Sequence, residues 1–589
     1  MRDKLREFTD GLPDRRFLIL LGILAVATYL RFRYAFFEGM WIDEGRYSRI
    51  GKEVSRHLLD YSVTTEWRGQ ITGFPPVYPY LIAIANLVFP PEFAARIISP
   101  ITSVAGIAVT YIFGREVADR ETGLVAAALL SVNPIFWFLS ERILIGATLT
   151  TMFTATVLAF WYGLEDRKYS RYALLATGPL TLLTILTKQP GYALGVILPA
   201  YLIYKKQDEI RDAWDRRSIR DSELYEVITN RDYYLSAALG IILIFPWMLR
   251  NMKACGFPLC SFQRALMFAE KDISSGWVQS HAQGLFFFIK SLPSQLTIIV
   301  AGFIVGKLVY NILKDYDSTK KGTVYRIMAY TFSAGFLMIF YQKLAPMALL
   351  SGLALFGRSD FEKLAWIWIG VGIGFMSIPP VKDPRYIVFT IPALVLLASI
   401  SIRDFGRWAG NLAEFEYASP LITAVIVFAA VFMSYSSGIG NVERGGYNSL
   451  EPAGEWVSEN VPKDSNVAAS SVGQMRFYSH PRNAYMPIDN KSSFTDFISR
   501  KNISHVVLDT YEPAQPHWAQ MKAAPYRVPF SVKRKLRSGS ISKQEVGSMF
   551  EKTPGYLDPV KTFGNTRSPV SRQSQPRVII YRVNKSAIK

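Results

Sequence analysis

The sequence predicts a polytopic α-helical membrane protein with a small α/β soluble domain at its C-terminal end. Three observations lead there. Half of the 589 residues are hydrophobic. The apolar residues gather in blocks of bilayer length separated by short charged connectors. After Tyr435 those blocks give way to short alternating segments. A soluble chain of this length would divide into several domains, but repeated apolar runs override that expectation.

Taken in order, the apolar runs cover residues 17–34, 93–113, 124–139, 146–162, 172–186, 191–204, 234–249, 284–313, 325–341, 344–356, 364–378, 386–402 and 421–435. They amount to about thirteen expected transmembrane helices. Two neighbouring pairs are separated only by Lys188-Gln189-Pro190 and by residues 343–346, where a lysine and a proline predict a break. Residues 77–89 are apolar but short and follow two prolines, so they are expected to form an interfacial helix inside a first outer loop at 37–92. The N-terminal stretch, basic before its apolar run, resembles a signal peptide and is expected to stay as an uncleaved anchor.

Leaving 77–89 uncrossed puts the basic connectors at 115–120, 167–171, 205–231, 314–321 and 358–363 on the same side as the N-terminus. The excess of Lys and Arg makes that side cytoplasmic and the C-terminal domain extracytoplasmic. The formal charge of +19 is then a membrane-facing property, with lipids and not nucleic acid as its partners. The expected division is 1–438 for the membrane part and 439–589 for the α/β part. In the latter, helices are expected at 451–460 and 494–500, strands at 466–471, 505–509 and 578–583, and a basic mobile loop at 532–571.

One stretch stands out chemically. Trp41-Ile42-Asp43-Glu44-Gly45-Arg46-Tyr47 follows the first apolar run, and two adjacent carboxylates there are costly unless they face an aqueous pocket. The plainer alternative is that they mark where the chain leaves the bilayer. On the same expected face lie Glu141-Arg142, Lys188, the connector at 250–281 and Lys382-Asp383-Pro384-Arg385-Tyr386. Cys255 and Cys260 allow either a bridge or inert thiols. The five histidines show no metal-ligand spacing.

Trp-Ile-Asp-Glu at 41–44, Phe-Pro-Pro-Val-Tyr at 74–78, Leu-Thr-Lys-Gln-Pro-Gly at 186–191, Phe-Pro-Trp-Met-Leu-Arg-Asn at 245–251 and Lys-Asp-Pro-Arg-Tyr at 382–386, in that order, resemble the integral-membrane glycosyltransferases of the GT-C fold. The branch they resemble is that of the protein O-mannosyltransferases and aminoarabinose transferases. The C-terminal segment, with Glu-Trp-Val-Ser-Glu-Asn-Val-Pro at 455–462, resembles the outer domain attached to prokaryotic and archaeal members.

The resemblance implies transfer of a single sugar, a hexose of the mannose type, from a polyprenyl- or dolichyl-phosphate-sugar donor to a protein, glycan or lipid acceptor by inverting displacement. It implies Asp43 as general base, with Glu44 holding loop geometry or the acceptor. The departing lipid phosphate needs fixed cations in a sheltered site, for which Lys188, Lys382, Arg385 and Arg142 are the candidates, with Glu141, Arg46 and Tyr47 as support. The plainer alternatives are snorkelling for Lys188, a salt bridge to Asp383 for Arg385, and ion pairs with Arg46 or Arg49 for Glu44. Where many relatives carry an acid five residues after the arginine, this chain has Ala147. No cofactor is expected; a divalent ion among Asp43, Glu44 and Glu141 is left open. A transporter or a non-catalytic scaffold is the competing class; no internal repeat supports the former, and the latter leaves the charged motifs without a use.

Overall fold

The computed structural model describes residues 14–36, 39–56, 58, 75–217, 225, 228–258, 283–318, 320–413, 415, 417–442, 447–479, 483–485, 491–509, 553–567 and 574–588. The connector residues Arg264, Lys271, Trp277 and His281, the thiol of Cys260 and the basic stretch 532–552 lie outside them.

The first helix, α1 (Arg15–Ala35), is followed by the amphipathic α2 (Ile42–Val54) and the nine-residue α3 (Val77–Ala85). At about 1.5 Å per residue α3 is too short to cross a bilayer. It packs on α2 and buries Tyr78, Pro79, Ile82 and Ala83. The bundle then continues through α4 (Pro91–Val117), α5 (Arg120–Ser131), α6 (Pro134–Ser140), α7 (Gly146–Gly163), α8 (Ser170–Thr187) and α9 (Leu194–Lys205). A short α10 (Gln207–Asp215) precedes α11 (Arg231–Cys255), α12 (Phe287–Ser318), α13 (Lys320–Phe340), α14 (Ala345–Ser351), α15 (Asp360–Ser377), α16 (Ile391–Leu412) and α17 (Ala418–Val442).

Among the described residues six helices are long and apolar enough to cross a membrane, or seven if the pair α5 and α6, bent by 65°, counts as one span. That is fewer than the about thirteen expected from apolar runs. The difference is physical. Several runs are interrupted helices: Asn133-Pro134 bends one, and Lys188-Gln189-Pro190 and Tyr341 to Pro346 break two others. Threonine-rich α7, and α15 with Asp360, Glu362 and Lys363 in its first turn, are not among the six and are largely buried by neighbouring helices.

The bundle core centres on α15, α16 and the 3-10 turn Pro384–Thr390 between them. Phe153 stacks on Trp368 at 5.5 Å and meets Phe389 at 4.8 Å, and Ile387, Val388 and Phe389 are all buried. The turn that carries Arg385 is therefore anchored in packed aromatics, which move little.

The C-terminal unit is a five-stranded mixed sheet ordered β2-β1-β3-β5-β4. Its strands are β1 (Asn466–Ala469), β2 (Asn483–Tyr485), β3 (Ile503–Asp509), β4 (Leu557–Arg567) and β5 (Ser574–Val583). β1 runs parallel to β2 and β3, and β5 antiparallel to β3 and β4. Helices α18 (Leu450–Asn460) and α19 (Val472–Tyr478) cover one face, and α20 (Lys491–Arg500) the other. Alternation along β3 divides the two cores: Val507 joins the α18 face, Val506 and Leu508 the α20 face. β4 was expected to be loop. Its edge position, Pro559 and Lys561 astride a register shift, gives it the composition of a blunted edge strand.

The sheet unit is seated on α2. A Cβ on Gly45 would lie 2.6 Å from the backbone nitrogen of Gln474, so only glycine permits the approach. Gln474 Nε2 donates to the Met40 carbonyl at 3.5 Å, and Lys52 Nζ lies 5.2 Å from the Phe477 ring centroid.

Candidate active site

α2 presents both carboxylates in its first turn, where the helix dipole favours negative charge. They face opposite ways. Glu44 turns inward and is 2% exposed. Its Oε2 accepts from the Trp41 backbone N–H, capping its own helix, and its Oε1 accepts from the Ile143 N–H at 2.6 Å. Arg142 Nη1 lies 3.8 Å from Glu44 Oε2 and the guanidinium sits 4.9 Å from the Phe138 ring centroid. Glu44 thus ties α2 to the turn after α6. Its ionic partner is Arg142, whereas Arg49 pairs with Glu53 at 2.7 Å and Arg46 with Asp43 at 3.9 Å.

Asp43 turns outward. Its Oδ2 accepts from Arg385 Nη1 at 3.3 Å, a contact across 342 residues of sequence, and its side chain is 34% exposed. Arg385 is set locally: Pro384 opens the turn and the Asp383 carboxylate caps it by accepting the Arg385 N–H at 3.0 Å. Asp383 Oδ2 also lies 3.3 Å from Arg385 Nε, and the guanidinium stands 4.7 Å from the Trp41 ring centroid. The salt bridge to Asp383 foreseen as the plainer role of Arg385 is present together with the bond to Asp43.

Lys188 completes the cluster. α8 ends at Thr187 because Pro190 prevents its continuation, leaving Lys188 extended at φ −161° and ψ 153°. The ammonium lies 5.5 Å from the Tyr386 ring centroid and within electrostatic range of Arg385, Asp43 and Asp383. The structure therefore brings together Asp43, Arg46, Lys188 and Arg385 from α2, the α8 break and the turn before α16. Tyr47 stands beside them, edge-on to Tyr78 at 5.4 Å. Burial, then the Asp43 charge, pushes the Tyr47 phenol up, so it is a neutral donor.

The remaining candidates sit nearby in other roles. Lys382 Nζ donates to the Gln283 carbonyl at 3.0 Å, latching the segment that leads into α12, and burial pushes its ammonium down. Glu141 and Arg142 line a small polar cavity behind Glu44 with Tyr34, Ala35, Gly39 and Arg96. Arg96 is a residue that motif reading passed over. Its signal was an arginine inside an apolar run, and the structure pairs it with Glu92 at 2.7 Å and the Ala35 carbonyl. Among the described residues no group of three or more His, Cys, Asp or Glu side chains could hold a metal ion.

A helical bundle whose acid and base groups converge beneath a small mixed sheet is similar in fold to the GT-C glycosyltransferases. Residues 74–215 match the family described as dolichyl-phosphate-mannose-protein mannosyltransferase. No curated protein matches by sequence. The fold matches ArnT from Cupriavidus metallidurans in the apo state, with TM-score 0.54, 15% identity, and coverage of 97% of this chain and 98% of that one. The same protein bound to undecaprenyl phosphate matches with TM-score 0.54 and 14% identity over 97% and 98% of the two chains. The archaeal oligosaccharyltransferase AglB from Archaeoglobus fulgidus, in complex with an inhibitory peptide and a dolichol-phosphate, matches with TM-score 0.55 and 16% identity, over 98% of this chain and 75% of that one.

Proposed function

We propose that the chain transfers one hexose of the mannose type from a polyprenyl- or dolichyl-phosphate donor to a hydroxyl of a protein, glycan or lipid. The reaction takes place on the non-cytoplasmic face, with the N-terminus in the cytoplasm, residues 1–438 as the membrane catalytic part and 439–589 as the outer domain. Asp43 removes the proton of the acceptor hydroxyl as its oxygen bonds to the anomeric carbon from the side opposite the phosphate. The bond between the anomeric carbon and the phosphate oxygen breaks, and its electron pair leaves with the lipid phosphate. Arg385 and Lys188 stabilise the charge that develops there. A guanidinium now bonded to Asp43 matches two phosphate oxygens in the same fork geometry, so donor binding exchanges its partner and leaves the carboxylate available. Glu44 holds the α2 entry and the turn at 141–143, while Lys382 and Arg142 brace the loops around the phosphate site.

The observation that carries this reading is the Asp43 to Arg385 contact at 3.3 Å with Lys188 beside it. Mass spectrometry of glycans and lipids from cells lacking the chain tests it. One sugar should disappear from one class of acceptor and return with the wild-type chain but not with Asp43→Asn. Unchanged profiles, or full rescue by Asp43→Asn, would overturn it.

A further inference from the structure

A second site lies at the other end of the bundle. α9 starts beside Lys188 and ends at Lys205, and α15 runs from Asp360 toward the turn that carries Arg385. The Lys205 and Asp360 ends are thus separated from the Asp43 cluster by the length of α15, 18 residues or ~27 Å. There α9, α13, α14 and α15 enclose a groove of about 1100 Å³, larger than the ~300–1,000 Å³ of ordinary small-molecule pockets.

The groove is graded along its length. Toward mid-bundle its walls are Val196, Ala200, Met347, Ala348, Ile367 and Val371. Its end carries Arg326, Arg358 and Lys363 against one carboxylate, Asp315, a surplus of two positive charges. Asp315 is shared, at 2.6 Å from Arg326 and 3.8 Å from Arg358, so among the described residues neither arginine has a carboxylate to itself there. Lys363 donates to the Tyr204 hydroxyl at 2.7 Å across that ring, which keeps its ammonium at the rim. The neighbouring cation Lys205 is neutralised by Asp360 and Glu165 at 2.6 and 3.3 Å, and Lys206 by Glu209 at 2.9 Å. These two cations are each paired, whereas the three at the groove mouth face one carboxylate among the described residues.

We propose that this groove binds an anionic diacyl phospholipid, its phosphate held by Arg326, Arg358 and Lys363 and its chains laid along the apolar wall. A volume above that of a small-molecule pocket, an apolar interior and a cationic rim at one end together describe a two-chain amphiphile with a negative head. Basic pockets between transmembrane helices recognise such headgroups. The site is separate in place and ligand from the sugar-donor cluster.

Native mass spectrometry of the purified full chain, titrated with phosphatidylglycerol, phosphatidylcholine of the same chains and undecaprenyl phosphate, tests this. Phosphatidylglycerol should bind ~10-fold more tightly than phosphatidylcholine, and the double variant Arg326→Gln and Arg358→Gln should erase that ~10-fold preference, the worth of one charge-assisted contact. Ala200→Trp, which fills the apolar wall and leaves every charge in place, should lower phosphatidylglycerol occupancy by a similar factor. Equal binding of the two phospholipids, unchanged phosphatidylglycerol binding in both the double variant and Ala200→Trp, or displacement of phosphatidylglycerol by undecaprenyl phosphate would overturn the proposal.

Discussion

Adjacent carboxylates with opposite environments should fail in opposite ways when neutralised. In Asp43→Asn the lost contact is a 3.3 Å pair between side chains 34% and 19% exposed, worth about 1 kcal/mol or less after screening, so folding should be nearly unaffected. The lost chemistry is larger: a positioned general base contributes roughly 10²–10⁴-fold. In Glu44→Gln the side chain is 3% exposed and both oxygens accept backbone N–H groups. A carboxamide offers one acceptor and turns an NH₂ toward the second N–H, and Arg142, itself 9% exposed, loses the charge of Glu44. Breaking a buried pair from one side costs about 3–5 kcal/mol, a large part of the ~5–15 kcal/mol that holds a domain together. The assay is sugar transfer in isolated membranes normalised to protein abundance, beside the temperature at which half of the detergent-solubilised chain precipitates. Asp43→Asn should keep its midpoint and lose transfer; Glu44→Gln should lower the midpoint and the abundance, with less loss of transfer per folded molecule. Transfer by Asp43→Asn above a tenth of wild type would refute the assignment of roles, as would a normally folded Glu44→Gln as inactive as Asp43→Asn.

Other outcomes follow from the same geometry. Lys188→Met should fold, since the apolar replacement suits its half-buried place, yet transfer ~10²-fold more slowly because a phosphate-stabilising charge is gone; steady-state kinetics on a lipid-phosphate sugar reads this out. Gly45→Ala should drive a methyl into the Gln474 backbone, costing about 1–3 kcal/mol as overpacking does, and hydrogen exchange in α19 should speed up while exchange in α16 stays constant. Burial, then Arg582 on the paired strand, holds the His505 imidazole below its usual range. The unfolded chain therefore takes up this proton first, and the stability present above about pH 6.5 is lost as pH falls toward the lower folded value. The urea midpoint of the sheet unit, read by pulse proteolysis, should drop between pH 7.5 and 5.5, and His505→Gln should flatten that slope.

The parts of the molecule legible in the sequence were those encoded by local chemistry. Lys188-Gln189-Pro190 announced a break because proline cannot continue a helix, and a break is what leaves Lys188 extended. The short apolar run at 505–509 announced β3, which the structure extends to Ile503–Asp509, and the two prolines before 77 a helix that stays short. What the sequence concealed were properties of packing. Whether an apolar run crosses or only fills the interior depends on its neighbours, which is why the count of spans came out smaller. Glu44 and Asp43 are indistinguishable as adjacent acids; only the turn at 141–143, a hundred residues away, turns one into a brace. β4 was hidden because an edge strand discourages pairing with strangers by using the lysines and prolines that make a loop.

The seat of the sheet unit on Gly45 has a practical meaning. The helix that bears Asp43 is gripped by backbone contributed more than four hundred positions later, so helical bundle and sheet unit share one piece of machinery. A truncation that keeps every charged group of the cluster but removes α19 would free the very turn that aims the carboxylate. Natural variation in that distant helix would then surface as altered turnover, and could be mistaken for a change in acceptor choice.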